Sequence, residues 1–262
     1  MRAILPGGER FPAVGLVFAG GSGTRMCQKD GIPKQFIEVD GTPILIHTLR
    51  RFQECSSIDL IYVVVPSGWV DYMIELVISF SISKVALVVP GGGTALESIF
   101  HGLKQMVNDG IPGESIVAIH DGVRPIINRE LIMNNVQIAQ DKGNAITSIP
   151  AFETVALKKG RDDLVKKVVN RKKAFVLQAP QTYHLSDVYE TNLRAQQDNV
   201  MQNFVDQANM QYHYGKPQHL IEGFRGNIKI TIPDDVRYFT YLVETGEYEK
   251  IIAAHSLRDV LQ

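Results

Sequence analysis

Cysteine is scarce in this chain: two in 262 residues, Cys27 and Cys55, at no metal-ligand spacing and with no signal peptide ahead of them. That excludes a disulfide framework and a cysteine-built zinc site, and the expectation is a reduced, cytoplasmic protein. Long hydrophobic runs are missing too, since none approaches the roughly 18 residues of a membrane span. Net charge is almost nil, −1 from 27 basic and 28 acidic residues, so nothing draws the whole chain to nucleic acid or to a membrane surface. No internal repeat or low-complexity stretch is visible. What remains is an ordinary globular composition, 45% hydrophobic and 21% charged, long enough to bury a substantial core.

The rest of the chain is organised around the stretch from Ala13 to Lys34. Val14, Leu16, Val17 and Phe18 read as a buried parallel strand that breaks into Ala19-Gly20-Gly21-Ser22-Gly23-Thr24-Arg25. Three glycines straight after a strand permit close backbone approach, so consecutive N–H groups can converge on an anion. Arg25 and Lys34 add two cations at the same mouth. The stretch is suited to holding phosphate.

Two better-known phosphate motifs fail here. A Walker A loop ends in Lys-Ser or Lys-Thr, which these glycines lack. The dinucleotide fingerprint, begun at Gly21 and Gly23, meets Met26 where its third glycine belongs. An NAD-dependent oxidoreductase also needs an acidic residue about 20 positions onward, and Glu38 comes too early.

Farther along, strand and helix signals alternate. Residues 60–65, 85–89, 116–120 and 145–149 read as strands, and 43–52, 69–79, 96–107 and 129–140 as helices. The alternation predicts an α/β fold, a Rossmann-like and mostly parallel sheet with helices on both faces. Ligands of such sheets sit outside the carboxyl ends of the strands, which aligns the Gly20–Arg25 loop, Gly91-Gly92-Gly93 and residues 120–125. After Pro150 the pattern changes. Residues 153–158, 164–170 and 174–178 read as three short strands forming a protruding antiparallel arm. Helices resume at 186–197 and 203–210, a last strand is expected at 227–231, and Pro233-Asp234 marks a further helix start. Residues 247–261 read as a peripheral amphipathic helix. The whole is expected to be one domain, with the arm at about 151–180.

The motifs resemble a known family. Ala19–Met26 followed by Pro33-Lys34-Gln35-Phe36, then His120-Asp121-Gly122-Val123-Arg124-Pro125, Ala179-Pro180-Gln181 and Gly226-Asn227-Ile228-Lys229-Ile230-Thr231, are similar to the sugar-alcohol-phosphate cytidylyltransferases. The resemblance runs from about Ala13 to about Leu242, with the motifs in the family's order. It implies a fold of the nucleotide-diphospho-sugar transferase type, a CTP-dependent reaction releasing pyrophosphate, dependence on Mg²⁺ or another divalent cation held mainly by the CTP phosphates, and a homodimer with exchanged arms. By the same resemblance Arg25, Lys34 and Lys229 are catalytic cations. Ala19, Gly20, Gly21, Ser22, Gly23, Thr24, Gly92 and Ser98 bind the nucleotide. Asp121, Arg124, Thr154, Arg171 and Asp206 bind the acceptor, Thr154 and Arg171 reaching a neighbouring subunit.

Departures from the family pattern bear on the acceptor. Ala179 replaces the usual Thr before Pro-Gln, Val205 precedes Asp206 where methylerythritol enzymes often have Thr, and Thr94-Ala95-Leu96 lacks the usual Arg. Ala19-Gly20-Gly21, residues 43–52, Gly68-Trp69-Val70 and Val123 before Arg124 follow the ribitol branch. Ribitol 5-phosphate is therefore the first expectation and methylerythritol 4-phosphate the second. Blander readings compete: Asp121–Arg124 as a loop salt bridge, Lys229 as a solvent-facing strand residue, His120 as a structural hydrogen-bonder, Trp69 as a helix anchor, Arg171 as a charged turn. A non-catalytic nucleotide-binding module would keep the loops without needing both Lys34 and Lys229, so their presence favours catalysis.

Overall fold

The first apolar run forms strand β1 (Ala13–Phe18), which alternates between two cores: Ala13 and Val17 enter one, Val14 and Leu16 the other. A strand buried on both faces belongs inside a parallel sheet covered by helices. The computed structural model describes residues 11–20, 31–160 and 163–253. After β1 come a short hairpin, β2 (Glu38–Val39) and β3 (Thr42–Pro43), then α1 (Ile44–Glu54), β4 (Leu60–Val65), α2 (Val70–Ser79) and β5 (Val85–Pro90). Next are α3 (Ala95–Asn108), β6 (Ile116–Asp121), α4 (Arg129–Lys142) and β7 (Asn144–Pro150). The second half holds β8 (Ala156–Lys158), β9 (Val165–Val168), β10 (Phe175–His184), α5 (Leu185–Gln197) and α6 (Gln207–His213). It ends with β11 (Leu220–Glu222), α7 (Pro233–Glu244) and α8 (Glu247–Ala253).

Seven strands form one sheet in the order β11-β7-β10-β6-β1-β4-β5. Strand β10 runs antiparallel to both neighbours, and the other pairings are parallel. One core packs α1, α2, α4, α7 and α8 against one face, and α3, α5 and α6 cover the other. The chain steps outward from β1 to β4 and β5, then returns to β6 on the opposite side of β1. That reversal opens a crevice at the carboxyl ends of β1 and β6, where open α/β sheets take their ligands. Gly20, the Gly91–Gly93 loop and residues 122–125 leave β1, β5 and β6 on this one edge, as the sequence predicts. Among the described residues no helix is long and apolar enough to cross a membrane.

Four expectations need correction. Residues 174–178 are not a third arm strand; Phe175 and Leu177 pair with Pro150 and Ser148 of β7, opening the long strand β10. The arm is therefore the two-stranded β8–β9 hairpin, every strand residue of which is exposed. No strand forms at 227–231: Asn227 N bonds Phe224 O and Ile228 N bonds Gly226 O within a turn, and Ile230 N makes one anchoring bond to Val123 O at 2.9 Å. Helix α6 begins at Gln207 rather than 203, because the Asp206 carboxylate accepts from Asn209 N at 2.8 Å and caps it there. Helix α8 is not peripheral, since Tyr248 and Ile252 enter the core; its expected continuation lies outside the described residues. Trp69 precedes α2 and stacks on Phe36 with ring centroids 4.9 Å apart, as an anchor would.

Candidate active site

The site begins where β1 ends. A Cβ on Gly20 would collide with the Ser98 side chain of α3, so only glycine lets the chain pass there. Gly91, leaving β5, abuts the same side chain. Ser98 is fully buried, and its hydroxyl donates to Thr94 O at 2.8 Å while accepting from Gly92 N at 3.1 Å. Thr94 and Glu97 complete a capping box, each side chain accepting from the other's backbone N–H at 3.1 Å. The result is a fixed first turn of α3 whose dipole-positive end faces the crevice through Ala95 and Leu96. Ser98 shapes this loop, with its hydroxyl spent on backbone.

Lys34 opens a short 3₁₀ turn (Lys34–Phe36) that is tied to the strand end, Gln35 Nε2 donating to Ala19 O at 2.8 Å. Lys34 Nζ donates to Ile230 O at 2.9 Å, beside Lys229.

Strand β6 supplies the charged centre. Its alternation sends His120 inward against the Phe52 ring, where Nε2 meets Arg124 O at 3.1 Å. Burial pushes the His120 pKa down to about 4, so the ring is neutral and structural. Asp121 faces the other way, with Arg124 Nε 2.8 Å from Oδ2 and Lys229 Nζ 2.5 Å from Oδ1. Burial alone would raise the Asp121 pKa; the two cations overcome it and hold the carboxyl well below the usual range. Arg124 Nη1 donates to Asn227 O at 2.7 Å, and Asn227 Nδ2 donates to Ala179 O at 2.7 Å. Asp121–Arg124 is thus the loop salt bridge of the blander reading, and it also faces the crevice.

A cavity of about 200 Å³ opens at this point, and Asp121, Arg124, Ala179, Asp206 and Lys229 all line it. Strand β10 shifts register between Leu177 and Gln181, which carries Gln178 and Ala179 into the wall. Gln181 Nε2 holds Asp206 Oδ2 at 2.9 Å while its Oε1 accepts from Ala208 N at 2.9 Å, joining the α6 cap to the wall.

Of the residues expected at the site, Asp121, Arg124, Asp206 and Lys229 meet in the cavity. Ala19, Gly20, Lys34, Gly92 and Ser98 do not line it: Lys34 is tied to Ile230 beside Lys229, Gln35 ties to Ala19, and Gly20 and Gly92 meet Ser98. Thr154 and Arg171 do not line this cavity: both are exposed, and Arg171 Nη1 donates to Phe152 O at 3.2 Å. Gly21, Ser22, Gly23, Thr24 and Arg25 lie outside the described residues. Sequence reasoning missed Gln178, Gln181 and Asn227 as wall-builders, although each belongs to or adjoins a motif it had singled out. Among the described residues, no group of three or more His, Cys, Asp or Glu is gathered to hold a metal.

Residues 13–244 match the protein family described as IspD, 2-C-methyl-D-erythritol 4-phosphate cytidylyltransferase. A ribitol-5-phosphate cytidylyltransferase of Streptococcus agalactiae serotype V is 42% identical over 241 residues, covering 91% of this chain and 98% of the relative. A 2-C-methyl-D-erythritol 4-phosphate cytidylyltransferase of Syntrophus aciditrophicus is 35% identical over 224 residues, covering 85% and 92%. The crystal structure of 4-diphosphocytidyl-2C-methyl-D-erythritol synthase from Anaerococcus prevotii shares the fold at a TM-score of 0.75 and 24% identity, covering 89% and 96%. By sequence along nearly its whole length, and with a matching fold, this chain belongs to the IspD family of cytidylyltransferases and is a nucleotidyltransferase.

Proposed function

We propose that the protein transfers CMP from CTP to a sugar-alcohol phosphate, with D-ribitol 5-phosphate as the preferred acceptor. The observation that carries this reading is the Asp121 carboxylate held between Lys229 and Arg124 on the cavity wall, opposite the first turn of α3. An acceptor phosphate oxygen attacks the α-phosphorus of CTP in line. The new P–O bond forms as the bond to the bridging oxygen of the β-phosphate breaks, and pyrophosphate leaves with the electron pair. Such a transfer needs cations and positioning, not a protein nucleophile.

Lys229 is the cation for the α-phosphate, and Arg25 and Lys34 grip the triphosphate. The glycine loop that follows Gly20 and the Gly91–Gly93 loop receive it, while Ala19 N and Gly92 N are spent on Val64 O and on the Ser98 hydroxyl and so only hold the two loops in place. Asp121, Arg124 and Asp206 receive the acceptor. Thr154 and Arg171, exposed on either side of the β8–β9 hairpin in the sequence, reach the acceptor phosphate in the neighbouring subunit of a homodimer. Mg²⁺ or another divalent cation, bound by the CTP phosphates, supplies further charge neutralisation. The wall fits a metal carried by the nucleotide: its two carboxylates, Asp121 and Asp206, are already engaged by Arg124 and Lys229 and by Gln181 and Asn209 N. The chain acts as one nucleotidyltransferase domain, in the cytoplasm, where CTP is.

The ribitol preference rests on the 42%-identical relative, named for ribitol 5-phosphate, against 35% for one named for methylerythritol 4-phosphate. Ala179 on the wall offers no hydroxyl to the acceptor in either case. A pyrophosphate-release assay with CTP and a panel of polyol phosphates tests the proposal. The highest kcat/KM is expected with ribitol 5-phosphate, and removal of divalent cations should abolish turnover. A higher value with methylerythritol 4-phosphate would overturn the acceptor. CTP binding by calorimetry without pyrophosphate release from any acceptor would leave a non-catalytic nucleotide-binding module instead.

A further inference from the structure

Helix α8 sends one hydrogen bond into the site loop. Tyr248, near the start of the helix, is buried between α1 and α7. Its ring stands edge-on to Phe239 at a centroid distance of 5.3 Å and to His47 at 5.8 Å, and the Arg51 guanidinium lies 5.6 Å from its centre. These contacts hold the ring and aim its hydroxyl at Pro125 O, to which it donates at 3.1 Å.

Pro125 directly follows Arg124 and has no N–H, so its carbonyl is the only backbone group through which a hydrogen bond can hold it. Ile127 N takes the same carbonyl at 3.1 Å. On the other side of Arg124, Ile230 N donates to Val123 O at 2.9 Å, and Arg124 O itself meets His120 Nε2 at 3.1 Å. The Arg124 backbone is therefore anchored from β6, from the 226–231 segment and from α8. Its guanidinium starts from that fixed point to reach Asp121 and the cavity. Small displacements of such a starting point are costly in phosphoryl transfer, which depends on placement.

We propose that Tyr248 is a positioning residue for the reaction: its hydroxyl fixes the Pro125 carbonyl and so sets Arg124 for the phosphate-bearing acceptor. The proposal rests on the reading of Arg124 as an acceptor-binding residue. Burial raises the pKa of the Tyr248 hydroxyl, which therefore stays a donor across the neutral range. The bond touches none of the groups on the nucleotide side, Gly20, Gly92 or Lys34. Its loss should register on the acceptor and not on CTP.

Steady-state kinetics with both substrates varied, together with thermal unfolding, test this on Tyr248→Phe, Ile252→Ala and Arg124→Ala. The acceptor is whichever polyol phosphate releases most pyrophosphate. Tyr248→Phe keeps the ring and deletes only the hydroxyl. It should raise the acceptor KM roughly three- to tenfold, the range for one neutral hydrogen bond, with the CTP KM unchanged. Ile252→Ala loosens α8 without touching the bond, and should lower the melting temperature while leaving the acceptor KM alone. An unchanged acceptor KM in Tyr248→Phe, beside a raised one in Arg124→Ala, would overturn the positioning role while sparing the Arg124 reading. A fall in melting temperature with both KM values unmoved would reduce Tyr248 to packing. Should Arg124→Ala itself leave the acceptor KM unmoved, the reading of Arg124 fails, and the role of Tyr248 falls with it.

Discussion

Lys229 Nζ stands 2.5 Å from Asp121 Oδ1, while Arg124 Nε occupies the other oxygen of the same carboxylate at 2.8 Å. One buried anion thus gathers two cations that would repel each other without it. Lys229→Ala should lower kcat/KM for CTP turnover about 100- to 1,000-fold, the cost of losing one preorganised charge that faces the transition state. Asp121→Asn leaves the cations unpaired, and should also destabilise the fold by on the order of 2 kcal/mol. That is less than for a fully enclosed pair, because Lys229 reaches solvent. Urea unfolding alongside kinetics separates the two effects. Wild-type stability in Asp121→Asn would mean that the trio contributes nothing to folding.

Gly20 and Ser98 make the nucleotide side equally testable. Gly20→Ala drives a Cβ into the Ser98 side chain, so the turn after β1 and the first turn of α3 must part. The CTP KM should rise tenfold or more, since near-contact geometry is what holds a phosphate cradle together. Removing the Ser98 hydroxyl clears the nearest obstruction, so Gly20→Ala with Ser98→Ala should recover part of the loss. Equal CTP KM values in the single and double variants would show that the two residues do not press on each other.

Acid should destabilise the fold through two buried histidines. Burial lowers the pKa of His47 and of His120 from 6.5 to about 4. Between those values the unfolded chain holds protons that the folded chain has released. Stability therefore rises with pH across that window and is lost as pH falls from 6.5 to 4. Each histidine contributes a slope of about 1.4 kcal/mol per pH unit. The depressed pKa of Asp121 acts in the same direction, but only below the usual carboxylate range, at more acid pH. Urea unfolding between pH 7 and pH 5 should show a shallower slope in His47→Gln, whose amide can still donate to Val39 O in place of the imidazole. A slope identical to wild type would clear His47.

How far the sequence carries can be seen residue by residue. β1, β4 and β6 were legible because their apolar residues continue through both faces, which only a covered parallel strand permits. Asp121 and Arg124 were legible as a motif, and their salt bridge needs only the three-residue spacing of one tight loop. The Lys229–Asp121 pair was not, since Ile228-Lys229-Ile230 carries the period of a strand and nothing local names a partner in β6. Phe175-Val176-Leu177 suits an exposed arm or a sheet equally well, and the ladder to β7 decides for the sheet. Gln178 is defined by carbonyls of Phe224 and Asn227 that the chain brings in from far downstream. Tertiary partners of this kind leave no local periodicity to read.

The last prediction is that each site is completed by two chains. Arg171 and Thr154, proposed above to reach the acceptor phosphate, lie exposed in their own chain and outside the cavity that Asp121, Arg124 and Lys229 line. The hairpin between them exposes Leu157, Leu164, Val165 and Val168. A two-stranded hairpin this exposed is marginal by itself and gains stability by covering its apolar side chains. A twofold dimer in which each arm lies on the partner covers them and delivers Arg171 to the partner's site. Lys34→Ala and Arg171→Ala, each inactive alone, should then complement each other when mixed under conditions of subunit exchange. One site of the heterodimer combines an intact Lys34 with an intact Arg171, and statistical mixing should restore roughly a quarter of wild-type sites. If Arg171 serves its own chain, every site carries a lesion and nothing returns. A mixture that stays inactive after exchange has been demonstrated by mass-tagged subunits would therefore place Arg171 outside the partner's site.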